Sequence, residues 1–264
     1  MVLRRSGWRV WLLIGATAVS VAAAILAPAF PQPLSYHDFA DCRSFLSIPN
    51  FLNVTSNAPF LIAGAYGLAI SLIPSDRRFV SGDERLPYLI FFLGAALTTF
   101  GSMYYHAVPD NVRLVWDRLP MTLGFAGLTA AVIGERINAR VGRRALWPLL
   151  AAGVATVLYW YATERAGRGN VMPYGIYQAW TIAIVAFAAL AFPSRRYSHG
   201  AALWWVVALY AIAKIAEAFD LAIYRMGQIV SGHTLKHLFA AAAVFAVAEI
   251  VRRRVATGHV GEPS

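Results

Sequence analysis

Long apolar runs dominate the chain, separated by short polar segments that often carry arginine. A membrane-crossing helix needs roughly 20 apolar residues. Eight stretches approach that length, at 9–30, 51–73, 86–106, 114–134, 145–163, 173–192, 201–223 and 234–251. The runs are too long for barrel strands and lack period-two alternation, so their backbone polar groups must be satisfied inside helices. The expected fold is an all-α, polytopic membrane helix bundle with little chain left for a soluble domain. No internal repeat, low-complexity tract, Walker loop or dinucleotide fingerprint is found.

Composition agrees. A chain of 264 residues that is 59% hydrophobic and 14% charged, with a mean hydropathy of +0.56, has the bilayer as its solvent. The net charge of +10 could belong to a nucleic-acid binder, but the basic residues alternate segment by segment. One set holds Arg4, Arg5 and Arg9, then Arg77, Arg78 and Arg85, then Arg136, Arg140, Arg143 and Arg144, then Arg195 and Arg196, then Arg252, Arg253 and Arg254. The opposite set is smaller: Arg43, Arg113, Arg118, Arg165, Arg168, Arg225 and Lys236. The positive-inside rule therefore predicts cytoplasmic termini, and the basic excess reads as an orientation signal with no nucleic-acid partner. Segment 9–30 has a basic lead and the small residues Ala27-Pro28-Ala29, as a cleaved signal does, but its apolar body is long for one, so a retained span is expected. The predicted organisation is an N-terminal span or signal anchor over 1–33, a membrane domain over 34–254 and a cytoplasmic tail over 255–264. The lone Cys42 excludes an intramolecular disulfide and a cysteine-based metal site.

Ionisable groups within a bilayer cost about 2.5–3.5 kcal/mol near a helix centre, so each one is informative. Segment 86–106 ends in GSMYYHA, with Ser102 and His106 four apart on one helix face. The last span is introduced by SGHTLKHLF, with His233 and His237 four apart on another. Asp117 opens the helix that follows His106. Imidazoles at i and i+4 can share one zinc ion, and a third from another helix leaves a fourth position for water, the layout of a catalytic zinc suited to amide or ester hydrolysis. Asp117 would then transfer protons or fix a histidine tautomer, and Ser102 would bond the water or the developing oxyanion. The same residues could be structural, since helical serine bonds its own i−4 carbonyl and histidine at a membrane edge is cheap. What favours chemistry is that His106, Asp117, His233 and His237 all fall at predicted non-cytoplasmic span ends.

Lys214, Glu217 and Asp220 share a face of the seventh span; a Lys214–Glu217 pair would account for the first two, and Asp220 is a candidate to orient a zinc-ligating histidine. Asn53, Ser56 and Asn57 read as interhelical hydrogen-bond formers. Trp204, Trp205, Tyr104, Tyr105, Trp116, Trp147 and Trp180 read mostly as an interfacial belt. His37, His199 and His259 read as solvated, and Asp38 and Asp41 as either solvated or ligands of a hard cation.

These segments resemble the alkaline ceramidases and their wider superfamily of seven-helix membrane hydrolases, which includes progestin and adiponectin receptors. NVTSNAPFL at 53–61, GSMYYHA at 101–107, DRLPM at 117–121 and GHTLKH at 232–237 are similar, in order, to four of that family's motifs. The resemblance spans most of the chain. It implies a seven-helix core preceded here by one extra span, zinc on His106, His233 and His237, and an active site completed by Ser102 and Asp117. It also implies hydrolysis of the amide of ceramide or a related lipid drawn from the bilayer, giving a sphingoid base and a fatty acid. Arg118 and Lys236 stand where the family has glutamate and often tryptophan. The family's calcium site would correspond to Asp38, Asp41 and Asn50, but Asn50 replaces a glutamate and Arg43 adds a positive charge, which argues against calcium. Two other classes remain open: a lipid-sensing receptor with a structural zinc, and a transporter using Lys214, Glu217 and Asp220.

Overall fold

The computed structural model describes residues 7–75, 78–194 and 196–257. Arg4, Arg5, Arg77 and Arg195 of the basic alternation, and His259 of the tail, lie outside the described residues. The described chain is an all-α bundle with no strand among those residues: α1 Gly7–Leu26, α2 Phe51–Thr55, α3 Ala58–Leu72, α4 Gly82–Ala107, α5 Asn111–Arg136, α6 Ala139–Arg165, α7 Met172–Ala191, α8 Leu203–Ala218, α9 Asp220–Gly227 and α10 Gly232–Arg253. Six of the described helices are long and apolar enough to cross a membrane: α1, α4, α6, α7, α8 with the turn before it, and α10. The protein is a multi-pass membrane protein.

Helix starts follow local chemistry. Ser81, Asp110, Asn138 and Ser231 cap α4, α5, α6 and α10, each side chain accepting from a backbone N–H of the first turn, which would otherwise be unpaired. Three expected spans come out differently. Stretch 51–73 is split into α2 and α3 at Ser56-Asn57, just before Pro59 in the first turn of α3. Stretch 201–223 is interrupted at Phe219, so Asp220 begins α9 instead of continuing α8. The fourth begins at Asn111, because Asp110 caps it, so Asp117 lies two turns inside α5 and not at its opening.

The helices close on themselves. α3 packs on α4, α4 on α5, α5 on α7, α7 on α8, α8 on α10 and α10 back on α3, while α6 covers α5 from outside and α1 lies against α7. None of the α1 residues is buried, so this span is peripheral to the bundle. Large apolar side chains such as Trp11, Leu26, Phe100, Leu190 and Trp205 face outward, as lipid contact requires. Trp116, Trp147 and Trp204 are also exposed, but Tyr105 of the expected aromatic belt is fully buried.

At the bundle end opposite His106, buried charges are paired. Arg254 donates to the Tyr88 hydroxyl at 3.0 Å and to Glu135 at 3.1 Å, among the rings of Phe79, Tyr88 and Tyr197. Tyr197 donates to Glu84, which also pairs with Arg196 at 2.7 Å. Burial pushes the Tyr197 phenol up to about 12. These arginines lock helix ends together.

Candidate metal centre and cavity

Three buried imidazoles converge at the other end. His106 comes from the last turn of α4, and His233 and His237 from the first two turns of α10. Their candidate ligand nitrogens all lie within 4.8 Å of one another, so the group could hold a metal ion. The Nε2 atoms of His106 and His233 stand 3.4 Å apart. Two ligands of one tetrahedral zinc, each about 2.0–2.1 Å from it, would stand about 3.3–3.4 Å apart. The donor set therefore fits such an ion.

The supporting contacts set the tautomer. Ser56, at the α2–α3 break, meets His237 Nδ1 at 2.8 Å. With Nδ1–H donating to Ser56, the lone pair of His237 is left on Nε2, facing its neighbours. Phe39 lies over His106 and His233, with ring centroids 4.8 and 4.5 Å away, and shields that side. Asn50, with a positive φ of 48°, donates its amide to the His106 carbonyl at 2.9 Å. Ser56→Ala should weaken metal binding by about 10–100-fold, the usual cost of losing such an outer hydrogen bond. Competition with a chelator of known affinity measures this.

Asp220 does not reach a histidine ring. Its Oδ1 accepts from the His233 backbone N–H at 2.7 Å and its Oδ2 from that of Ala40 at 3.0 Å, so it ties the start of α10 to the loop bearing Phe39. Asn53 strengthens the same junction, accepting from Thr234 at 3.0 Å and donating to the Asp41 carbonyl at 3.0 Å. Asn53 and Ser56 thus bridge elements as expected, whereas the Asn57 amide turns back onto Asn53 in its own segment.

Ser102 and Asp117 are both buried and line the same cavity. Gly101 permits this: a Cβ there would run into the Trp116 carbonyl, so only glycine lets α4 and α5 close at this level. Gly232 plays the same part beside His233, where a Cβ would meet the Ala216 carbonyl. Both glycines lie within the motifs that carry the histidines.

Ser102, Asp117 and His237 line a partly open cavity of about 440 Å³ within the helical ring. Its far wall is apolar, formed by Phe60, Phe91, Leu128, Val185 and Val244; its near end is polar, with Gln32, Tyr36, Arg118, Glu217 and Lys236. Lys214 pairs with Glu217 as expected, but Lys236 of α10 joins them at 3.0 Å from Glu217.

Asp38, Asp41 and Asn50, the positions that would correspond to a calcium site, do not form a cage. Arg43 takes both Asp41 carboxylate oxygens at 2.8 Å and holds that carboxyl below the usual range, Asn50 is engaged with His106, and Asp38 is exposed. Calcium needs six to eight oxygens, and this set does not offer them. His37 is also not free: it bonds the Tyr105 hydroxyl at 2.9 Å and Asn111 at 3.0 Å, pinning the N-terminal loop to α4 and α5. His199 is exposed, as expected, and so is Cys42.

In comparisons with known proteins, no family model matches the chain and no curated protein matches it.

Proposed function

We propose that the protein is a zinc-dependent membrane amidohydrolase that cleaves the amide of ceramide or a related lipid into an amine and a fatty acid. The observation that carries this reading is the convergence of three buried imidazoles beside a cavity that His237, Ser102 and Asp117 line at its polar end and whose far wall is apolar. Zinc, when bound, supplies a Lewis acid that polarises the carbonyl and acidifies a water molecule.

The residues of the chain then divide the work. The apolar wall takes the acyl chain and leaves the amide beside the histidines. Asp117 accepts a proton from the attacking water and returns it to the leaving nitrogen, so that water adds across the carbon–nitrogen bond. Ser102 donates to the carbonyl oxygen as negative charge develops there. Phe39 shields one side of His106 and His233 from bulk water, which strengthens the interactions made there. The distribution of arginine further supports cytoplasmic termini, with this centre toward the opposite face.

The test is metal analysis of the purified full-length protein together with turnover of ceramide and simpler fatty amides, before and after chelation and zinc return. Near-stoichiometric zinc, with amide cleavage that is lost on chelation and restored by zinc, is the expected result. Saturable lipid binding without product would favour a receptor instead.

A further inference from the structure

The polar end of the cavity holds more positive charge than its own residues neutralise. Arg118, Lys214 and Lys236 line it, against the carboxylates of Asp117 and Glu217. Glu217 is shared by the two lysines. Asp117 must be free to move a proton in the hydrolytic reading, so it cannot serve as a fixed counter-ion.

Arg118 is the exposed term in this balance of charge, although it is only 5% exposed to solvent. Its Cζ lies 4.2 Å from the Trp160 ring centroid and 4.8 Å from that of Tyr174, which holds the guanidinium in place. Nη2 donates to Gln32 Oε1 at 2.6 Å, whereas Nη1 has no hydrogen-bond partner among the described residues. No ion pair among the described residues includes Arg118. Aromatic faces offset part of the cost of burying the cation, but they do not satisfy a donor. A buried guanidinium that lines a cavity and keeps one N–H without a partner is suited to receive an anion. Lys236 is the second cation on this wall, and both act electrostatically on Asp117. The anion site is therefore next to the reacting end and away from the apolar wall.

We infer that the lipid held in this cavity carries an anionic headgroup, a carboxylate or a phosphate, which the Arg118 guanidinium binds with Lys236 as the supporting charge. The inference rests on the amidohydrolase reading for which bond is cut, but not for which headgroup is held. It separates this chain from an enzyme for neutral ceramides.

Three palmitoyl amides test it: N-palmitoylglycine with a carboxylate, the C16 ceramide 1-phosphate with a phosphate, and N-palmitoylethanolamine with neither. Affinity is read from ligand-dependent thermal stabilisation of the metal-loaded full chain in detergent, and cleavage is followed separately. At least one anionic amide should bind about tenfold or more tightly than the ethanolamide, the value of one charge-assisted hydrogen bond. That preference should fall by about tenfold in Arg118→Gln. Gln32→Glu keeps Arg118 but gives Nη2 an internal carboxylate, so it should lower the same preference even if Arg118→Gln fails to fold. Response to the glycine conjugate alone identifies a carboxylate ligand, and response to the phospholipid alone a phosphate ligand. Equal binding of all three amides, or a preference unchanged in Gln32→Glu, overturns the inference. Palmitate itself matching N-palmitoylglycine in its Arg118 dependence also overturns it, since Arg118 would then hold the acyl carboxylate. Anionic preference without cleavage leaves the inference standing and removes the hydrolase reading; cleavage without preference does the reverse.

Discussion

His106→Ala should purify without its metal and should not cleave lipid amides above background. The other two imidazoles are four residues apart on one helix, and two nitrogen ligands with no third protein donor do not make a closed or catalytic zinc site. Loss of an outer hydrogen bond costs about 10–100-fold in affinity, so loss of a direct ligand should exceed that. The fold should survive, because Asn50 grips the backbone carbonyl of residue 106 and not its ring. His37→Ala is the matched control: His37 also lies at this end of the bundle, but it bonds Tyr105 and Asn111, so this variant should keep its metal. Elemental analysis of the two variants beside wild type decides the matter. Stoichiometric zinc and undiminished turnover in His106→Ala would place the metal elsewhere.

The all-α class and the His233–His237 pair were legible in the sequence for the same reason: both depend on short-range spacing. Apolar length predicts helices, and i to i+4 spacing predicts that His233 and His237 share a face. What pattern alone could not supply is whatever depends on residues far apart in the chain. Ser56 meets His237 and Lys236 meets Glu217 only because α10 packs against α3 and α8. Tyr105 looked like a belt residue and His37 a solvated one, yet each is the other's partner across the N-terminal loop. Arg254 had a plausible exposed role beside Arg252 and Arg253, but it alone of the three turns into the Phe79, Tyr88 and Tyr197 cage. Some misplacements were avoidable. Pro109-Asp110 ahead of Asn111 is a recognisable helix start, and it puts Asp117 two turns into its helix, level with Ser102.

That placement makes Asp117→Asn the sharpest test of mechanism. Asparagine has the same shape, so packing between α4 and α5, closed by Gly101, should be retained. It cannot carry a proton from water to the leaving nitrogen. Positioned proton transfer contributes about 10²–10⁴-fold to rate, and kcat should fall by that order while metal content and KM change little. A KM increase of the same size with kcat preserved would instead make Asp117 a substrate-binding group. The variant also removes a negative charge that acts on Arg118 and Lys236. If those cations hold an anionic headgroup, Asp117→Asn should bind N-palmitoylglycine at least as tightly as wild type while cleaving it far more slowly. Tight binding with slow turnover in one variant separates proton transfer from ground-state recognition, whereas a purely structural Asp117 would lose both together.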